Sequence, residues 1–311
     1  MALSSDNESP QKMDIAITMV AIFSTMLAVL ISLIFAQTRN TKDGMISSFL
    51  PDPDKEPSKY HFERYCWVYS PVWIGAMGVI VVFQLYEDFT AWTYDLVLGG
   101  LALPFLLQPI IYPLGPDKDR PLLERYAFKA NLWIAIFTFI GNYWYTHYFF
   151  SVLKARYSMP AHNLNAVPIA LYFATHFYFS SYHAFSNAFL RKVQTTYQKN
   201  TLRTVLFCAV IAVFSYFTAF METLTISSYP YYSFEDRDMA FTLGSAFYGI
   251  YFLFSFPMFF FFDNSIDDQN EKSMSVWETV VHANGCGMLV LCSLDLVRLF
   301  VAKVPLIVGD R

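Results

Sequence analysis

Gly141-Asn-Tyr-Trp-Tyr-Thr-His-Tyr-Phe-Phe-Ser151 closes an apolar run that begins at Asn131 and meets no formal charge until Lys154. At about 1.5 Å of rise per residue, a helix of that length crosses the roughly 30 Å hydrocarbon layer of a bilayer. The quoted residues carry an amide, an imidazole and six Tyr, Trp or Phe rings. On an α-helix His147 shares a face with Tyr143 and Trp144, and Asn142 shares one with Tyr145 and Thr146. Two readings follow. One is an aromatic belt at a membrane interface. The other is a proton-bearing group framed by rings, which stabilise positive charge by ~0.5–2 kcal/mol each without supplying a nucleophile that would trap it.

The rest of the chain extends the membrane pattern. Hydrophobic residues make up 55% and charged residues 15%, against roughly a quarter charged in soluble domains, and the mean hydropathy is +0.36. A net charge of −4 with no basic stripe argues against a nucleic-acid partner. Cys66, Cys208, Cys286 and Cys292 have neither zinc nor redox spacing, so they read as small hydrophobes.

Residues 1–12 form a short polar tail expected to be disordered, and its Asn7-Glu8-Ser9 triplet lies too close to the first apolar run to serve as a glycosylation acceptor. Met13–Ala36, with Asp14 near its start, exceeds the apolar core of a signal peptide and predicts an uncleaved anchor helix. Pro51, Pro53 and Pro57 mark a mixed-charge linker. Apolar runs follow at 71–89, 95–114, 131–152, 166–187, 204–224, 241–262 and 279–300. The expected architecture is all-α: a polytopic transmembrane helix bundle of about seven core spans plus one N-terminal anchor helix. It divides into a tail and anchor (1–36), a linker (37–60) and a membrane domain (61–311).

Counting alternate sides, the segments 37–70, 115–130, 188–203 and 263–278 hold twice as many of the 21 Lys and Arg as the others. That bias puts them in the cytosol and both termini in the lumen. Pro104, Pro109 and Pro113 leave a re-entrant second core span as the alternative, which would invert everything downstream.

Ionisable groups inside spans cost ~2.5–3.5 kcal/mol at a helix centre, so each is a candidate for function. Glu222 follows an aromatic run near the end of its span. A buried carboxyl without an opposite charge is expected to keep its proton and act as a general acid, unless the loop wets it. Asp295 has Arg298 at i+3, which makes a local ion pair the alternative to catalysis. His176, Ser180, His183 and Asn187 fall at i, i+4, i+7 and i+11. Such a polar stripe suits a proton path, a site for a ligand hydroxyl, or hydrogen bonds between helices. Glu87 sits at the first core hairpin, where it either turns inward or is solvated. On the topology above, His147, Glu222, Asp295 and Glu87 lie within about two turns of one boundary, four proton-active groups at one depth.

Seven runs carry a resemblance to a known family: Lys129-Ala-Asn-Leu-Trp133, Gly141-Asn-Tyr-Trp-Tyr-Thr-His-Tyr-Phe-Phe150, Tyr182-His-Ala-Phe-Ser-Asn187, Glu222-Thr-Leu-Thr-Ile226, Pro230-Tyr-Tyr232, Ser255-Phe-Pro-Met-Phe-Phe260 and Asp295-Leu-Val-Arg-Leu-Phe300. Over roughly 62–304, in order and at similar spacing, the chain resembles the cycloeucalenol cycloisomerases, also called cycloeucalenol-obtusifoliol isomerases. The anchor and linker have no counterpart in that pattern. The resemblance implies an isomerase of the endoplasmic reticulum membrane. It would open the 9β,19-cyclopropane ring of a sterol, with no redox or nucleotide cofactor; two histidines seven apart, His176 and His183, with no third ligand nearby give no separate reason to expect a metal.

It supplies no catalytic set, so the roles come from the residues. Glu222 is the first choice to protonate C19. His147 would accept the C8 proton or hold the carboxyl, with Asp295 and Glu87 as further acid or base candidates. Tyr143, Trp144 and Tyr216 would face the cation, and Asn142, His176 or His183 would take the sterol 3β-hydroxyl. Another cationic sterol isomerase, of the Δ8–Δ7 type, and a non-catalytic sterol-binding bundle are the competing readings.

Overall fold

The computed structural model describes residues 14–40, 47–226, 229–268 and 270–308. The polar tail and its Asn7 triplet lie outside the described residues. Eight long helices occupy the expected order: α1 (Ile15–Phe35), α2 (Pro57–Val82), α3 (Ala91–Ile111), α4 (126–153), α5 (Ile169–Thr196), α6 (Thr201–Ile226), α7 (Arg237–Phe260) and α8 (Val276–Ala302). Strand among the described residues is confined to two-residue pairs in the connections. The chain is an all-α polytopic membrane bundle. Six of the helices, all but α4 and α5, are long and apolar enough to cross a membrane.

The two exceptions are the ones sheathed by protein. α5 packs against α2, α3, α4, α6 and α7, so its polar side chains meet partners instead of lipid. α4 packs on α5 and α8, with Tyr145 donating to the Gly287 carbonyl at 2.8 Å. A Cβ at Gly287 would come within 2.9 Å of the tip of the Ile140 side chain and 3.2 Å of the Tyr145 hydroxyl, so a larger residue there would have to push these side chains aside. α1 touches the bundle through Phe23, whose ring meets Tyr216, Phe217 and Phe220 of α6 edge-on.

α2 begins well before its apolar run because Pro57 suits the first helical turn, where its missing N–H is not needed. α3 runs unbroken through Pro104 and Pro109. Carbonyls around the prolines accept hydrogen bonds from Tyr69 (to Leu101, 2.9 Å), Tyr65 (to Pro104, 2.9 Å) and Arg125 (to Pro109, 2.7 Å). A continuous helix therefore replaces the re-entrant alternative.

The loops gather at two ends, as the alternation of spans requires. At one end Glu63 pairs with Arg191 at 2.8 Å, Lys129 with Asp263 at 2.5 Å, and Arg120 with Asp117 and Asp267. Ser58 donates to Asp267 and Lys59 to Asn264. These residues come from 37–70, 115–130, 188–203 and 263–278. At the other end Arg156–Tyr157 pairs antiparallel with Tyr232–Ser233, His162 bonds Asp95 at 2.7 Å, and the Ile307 amide donates to Ser151.

Candidate active site

The second end holds a cavity of about 850 Å³, walled by α2, α3, α4, α5, α6 and α7 and by the connections after α2, α4 and α6. Its size falls within the range of roughly 300–1,000 Å³ found for small-molecule sites. Glu222 stands on its wall, and no Asp, Lys, Arg or His joins it among the described residues lining the hollow. α6 delivers Glu222 one turn before the helix ends at Ile226. Its Oε2 is buried without a hydrogen-bond partner among the described residues, while the hydroxyls of Tyr182 from α5 and Tyr248 from α7 interact with the carboxyl.

Six tyrosines surround that carboxyl within electrostatic range: Tyr157, Tyr178, Tyr182, Tyr232, Tyr248 and Tyr251. All six line the cavity. Tyr157 and Tyr232 stack at 4.6 Å in the short strand pair that caps this end. Tyr248 and Tyr251 meet edge-on at 4.8 Å. The arrangement is one carboxyl in an aromatic chamber, with phenol donors against it and no cation on the wall to hold it ionised.

The hollow also opens sideways. On α2 it reaches Ile74 and Val82, exposed by 49% and 75%, and on α6 it reaches Phe217 and Met221, exposed by 43% and 38%. All four are apolar, so the opening lies in the surface that hydrocarbon covers.

The structure separates the residues nominated from the sequence. Glu222 and Asn142 reach the cavity wall. His147 does not: α4 turns Thr138, Asn142, Thr146 and Phe149 toward the hollow. A residue next to Thr146 points about 100° away from it, and the His147 ring lies buried against Phe150 and Trp144. The segment is also not a plain α-helix, since 141–145 and 149–153 are π-turns, a distortion frequent at functional sites. Tyr143 stacks on Phe139 and Trp144 is 44% exposed, so neither ring faces the chamber. Tyr216 packs on Phe23 of α1.

The polar stripe of α5 is bonded to its neighbours. His176 Nε2 lies 3.1 Å from Asn131 Oδ1, and Asn187 donates to Glu63 at 2.9 Å. His183 Nδ1 donates to the Phe179 carbonyl, which leaves Nε2 to accept from Ser255 at 3.0 Å. Asp295 is tied to Arg298 at 2.7 Å. Glu87 is exposed on the hairpin, where its neighbour Tyr86 takes the inward position. Four acid or base groups at one depth therefore reduce to one on a common chamber. The sequence reading did not single out the tyrosine cage, although Tyr178 and Tyr182 share the i, i+4 spacing that relates His176 to Ser180.

The chain is 40% identical over 262 residues to the cycloeucalenol cycloisomerase of Arabidopsis thaliana, a match covering 82% of this chain and 91% of that protein. It belongs to the cycloeucalenol cycloisomerase family. As a member of that family it is an isomerase, and the helices make it a multi-pass membrane enzyme. No family model and no solved structure matches the chain.

Proposed function

We propose that this cycloisomerase opens the 9β,19-cyclopropane ring of cycloeucalenol to give obtusifoliol, in the endoplasmic reticulum membrane with its ion-paired end in the cytosol. The observation that carries this reading is Glu222, the one carboxyl among the described residues on the wall of a sterol-sized aromatic chamber. Its proton goes to C19 as the C9–C19 bond breaks, which makes the new methyl group and leaves positive charge at C9. The tyrosine faces stabilise that charge and offer no strong nucleophile to capture it. The hydroxyls of Tyr182 and Tyr248, which interact with the carboxyl, are the donors at hand for the carboxylate that the transfer leaves behind. Loss of the C8 proton then forms the C8–C9 double bond. The Glu222 carboxylate is the base at hand, and by taking that proton it returns to its starting state, so the cycle balances without His147.

Ring opening by membranes carrying the Glu222→Gln variant tests this. Turnover should fall by about 10²–10⁴-fold, the usual contribution of a general acid, while sterol binding persists. In a single turnover by enzyme equilibrated beforehand in heavy water, so that Glu222 starts as the deuterated acid, the wild-type product should carry one deuterium in the C19 methyl. Normal turnover by the variant, or a C19 methyl without label, would overturn the assignment.

A further inference from the structure

Opposite the carboxyl, the cavity has a second polar spot made by Thr138, Asn142 and Thr146 of α4 and Thr175 of α5. Its hydrogens are all committed elsewhere. Asn142 Nδ2 donates to the Thr138 carbonyl at 2.9 Å and to Thr175 Oγ1 at 2.8 Å. A carbonyl can only accept, so the orientation of the amide is fixed. Thr175 sends its hydroxyl proton to the Leu171 carbonyl, Thr138 to Ala135 and Thr146 to Gly141. Asn142 Oδ1 has no hydrogen-bond partner among the described residues, although its residue is only 6% exposed and lines the hollow.

We infer that Asn142, held by Thr175, forms an acceptor-only subsite that takes a ligand hydroxyl as donor and so demands a free 3β-alcohol on the sterol. This rests on the sterol reading above and names the group it selects. A 3-ketone or 3-ether offers only lone pairs, which would face the lone pairs of Oδ1 with no proton between them. The spacing suits a fused-ring ligand. Thr175 and Tyr182 lie two turns apart on α5, ~10 Å along its axis. A long side chain leans back toward the helix N-terminus, which brings the Tyr182 hydroxyl, and Glu222 with it, nearer to Asn142 than that. A sterol seated on Oδ1 through its first ring thus places the adjoining rings, which bear the strained bond, at the carboxyl.

The test uses the purified full-length protein and three cyclopropyl sterols that differ only at C3, bearing an alcohol, a ketone or a methyl ether. Binding is read by displacement of a fluorescent sterol, and ring opening is read in parallel. The wild type should bind the alcohol about 10- to 100-fold more tightly than the ketone or ether, the cost of an unpaired acceptor. Asn142→Leu should bring the three within about threefold. Thr175→Val frees one Asn142 amide hydrogen while the Thr138 carbonyl still holds the other, so a donor joins Oδ1 at the subsite and the preference for the alcohol over the ketone should narrow; this variant serves should Asn142→Leu fail to fold. Equal binding of all three by the wild type, or undiminished preference in both variants, would sink the inference. Selective binding through Asn142 without ring opening would uphold the subsite and remove the ring-opening reading instead.

Discussion

α5 carries two stripes with the same spacing and opposite fates. His176, Ser180, His183 and Asn187 fall at i, i+4, i+7 and i+11, and so do Tyr178, Tyr182, Phe185 and Phe189. The second set is two residues out of phase, about 200° around the helix. Every member of the first is buried, at most 3% exposed, and hydrogen-bonded within α5 or to a neighbouring helix. Every member of the second faces the cavity. Polar atoms at membrane depth are expensive unless paired, so a bundle spends them on its own cohesion. The surface left for the ligand is the aromatic one.

The largest test of that contrast is at the foot of the polar stripe, where Asn187 and Arg191 both hold Glu63. Glu63→Gln strands the buried guanidinium and should cost about 3–5 kcal/mol of stability. Thermal unfolding in detergent should show the loss, while turnover per folded molecule stays at the wild-type level. Neighbouring substitutions on α5 should then diverge. His183→Leu leaves the Ser255 hydroxyl unpaired, for a loss of about 1–3 kcal/mol in stability and none in the chemical step. Tyr178→Leu removes a ring from the chamber and should do the reverse. Stability holds, and kcat falls by about 2- to 30-fold, the kinetic equivalent of ~0.5–2 kcal/mol of lost cation stabilisation. A kcat loss in His183→Leu matching that of Tyr178→Leu would break the division between the stripes.

The same division explains what the sequence could reveal. Eight helices were legible because apolar runs of bilayer length are a one-dimensional signal. Glu222 was legible because an unpaired carboxyl in such a run is rare. His147, Tyr143 and Trp144 drew attention by composition, yet which way a helical residue points depends on what packs around it. Two π-turns further altered the periodicity from which their shared face was argued. The cage was hidden for a related reason. Its tyrosines come from α5, α7 and two loops far apart in sequence, and in a chain with 21 Tyr no local pattern distinguishes them.

The smallest expected effect sits at the cavity mouth, where two glycines of α2 provide a matched pair. A Cβ added at Gly75 or at Gly78 meets nothing within 4 Å, so a large side chain begins in open space at either position. Gly78 lines the hollow and Gly75, three residues earlier, does not. Replacing glycine inside a helix also gains a few tenths of a kcal/mol of helix propensity, so neither change should unfold α2. Gly78→Trp sets an indole across the sideways opening, where it competes for space with a sterol arriving from the hydrocarbon layer. KM should rise about three- to tenfold, equivalent to ~0.7–1.4 kcal/mol of lost binding, with kcat little changed because Glu222 and its tyrosines are untouched. Gly75→Trp should leave both constants alone. Because both variants add the same surface to the same helix, a shared rise in KM would mean that the indole acts through α2 or its lipid contacts, and the α2–α6 opening would lose its standing as the way in.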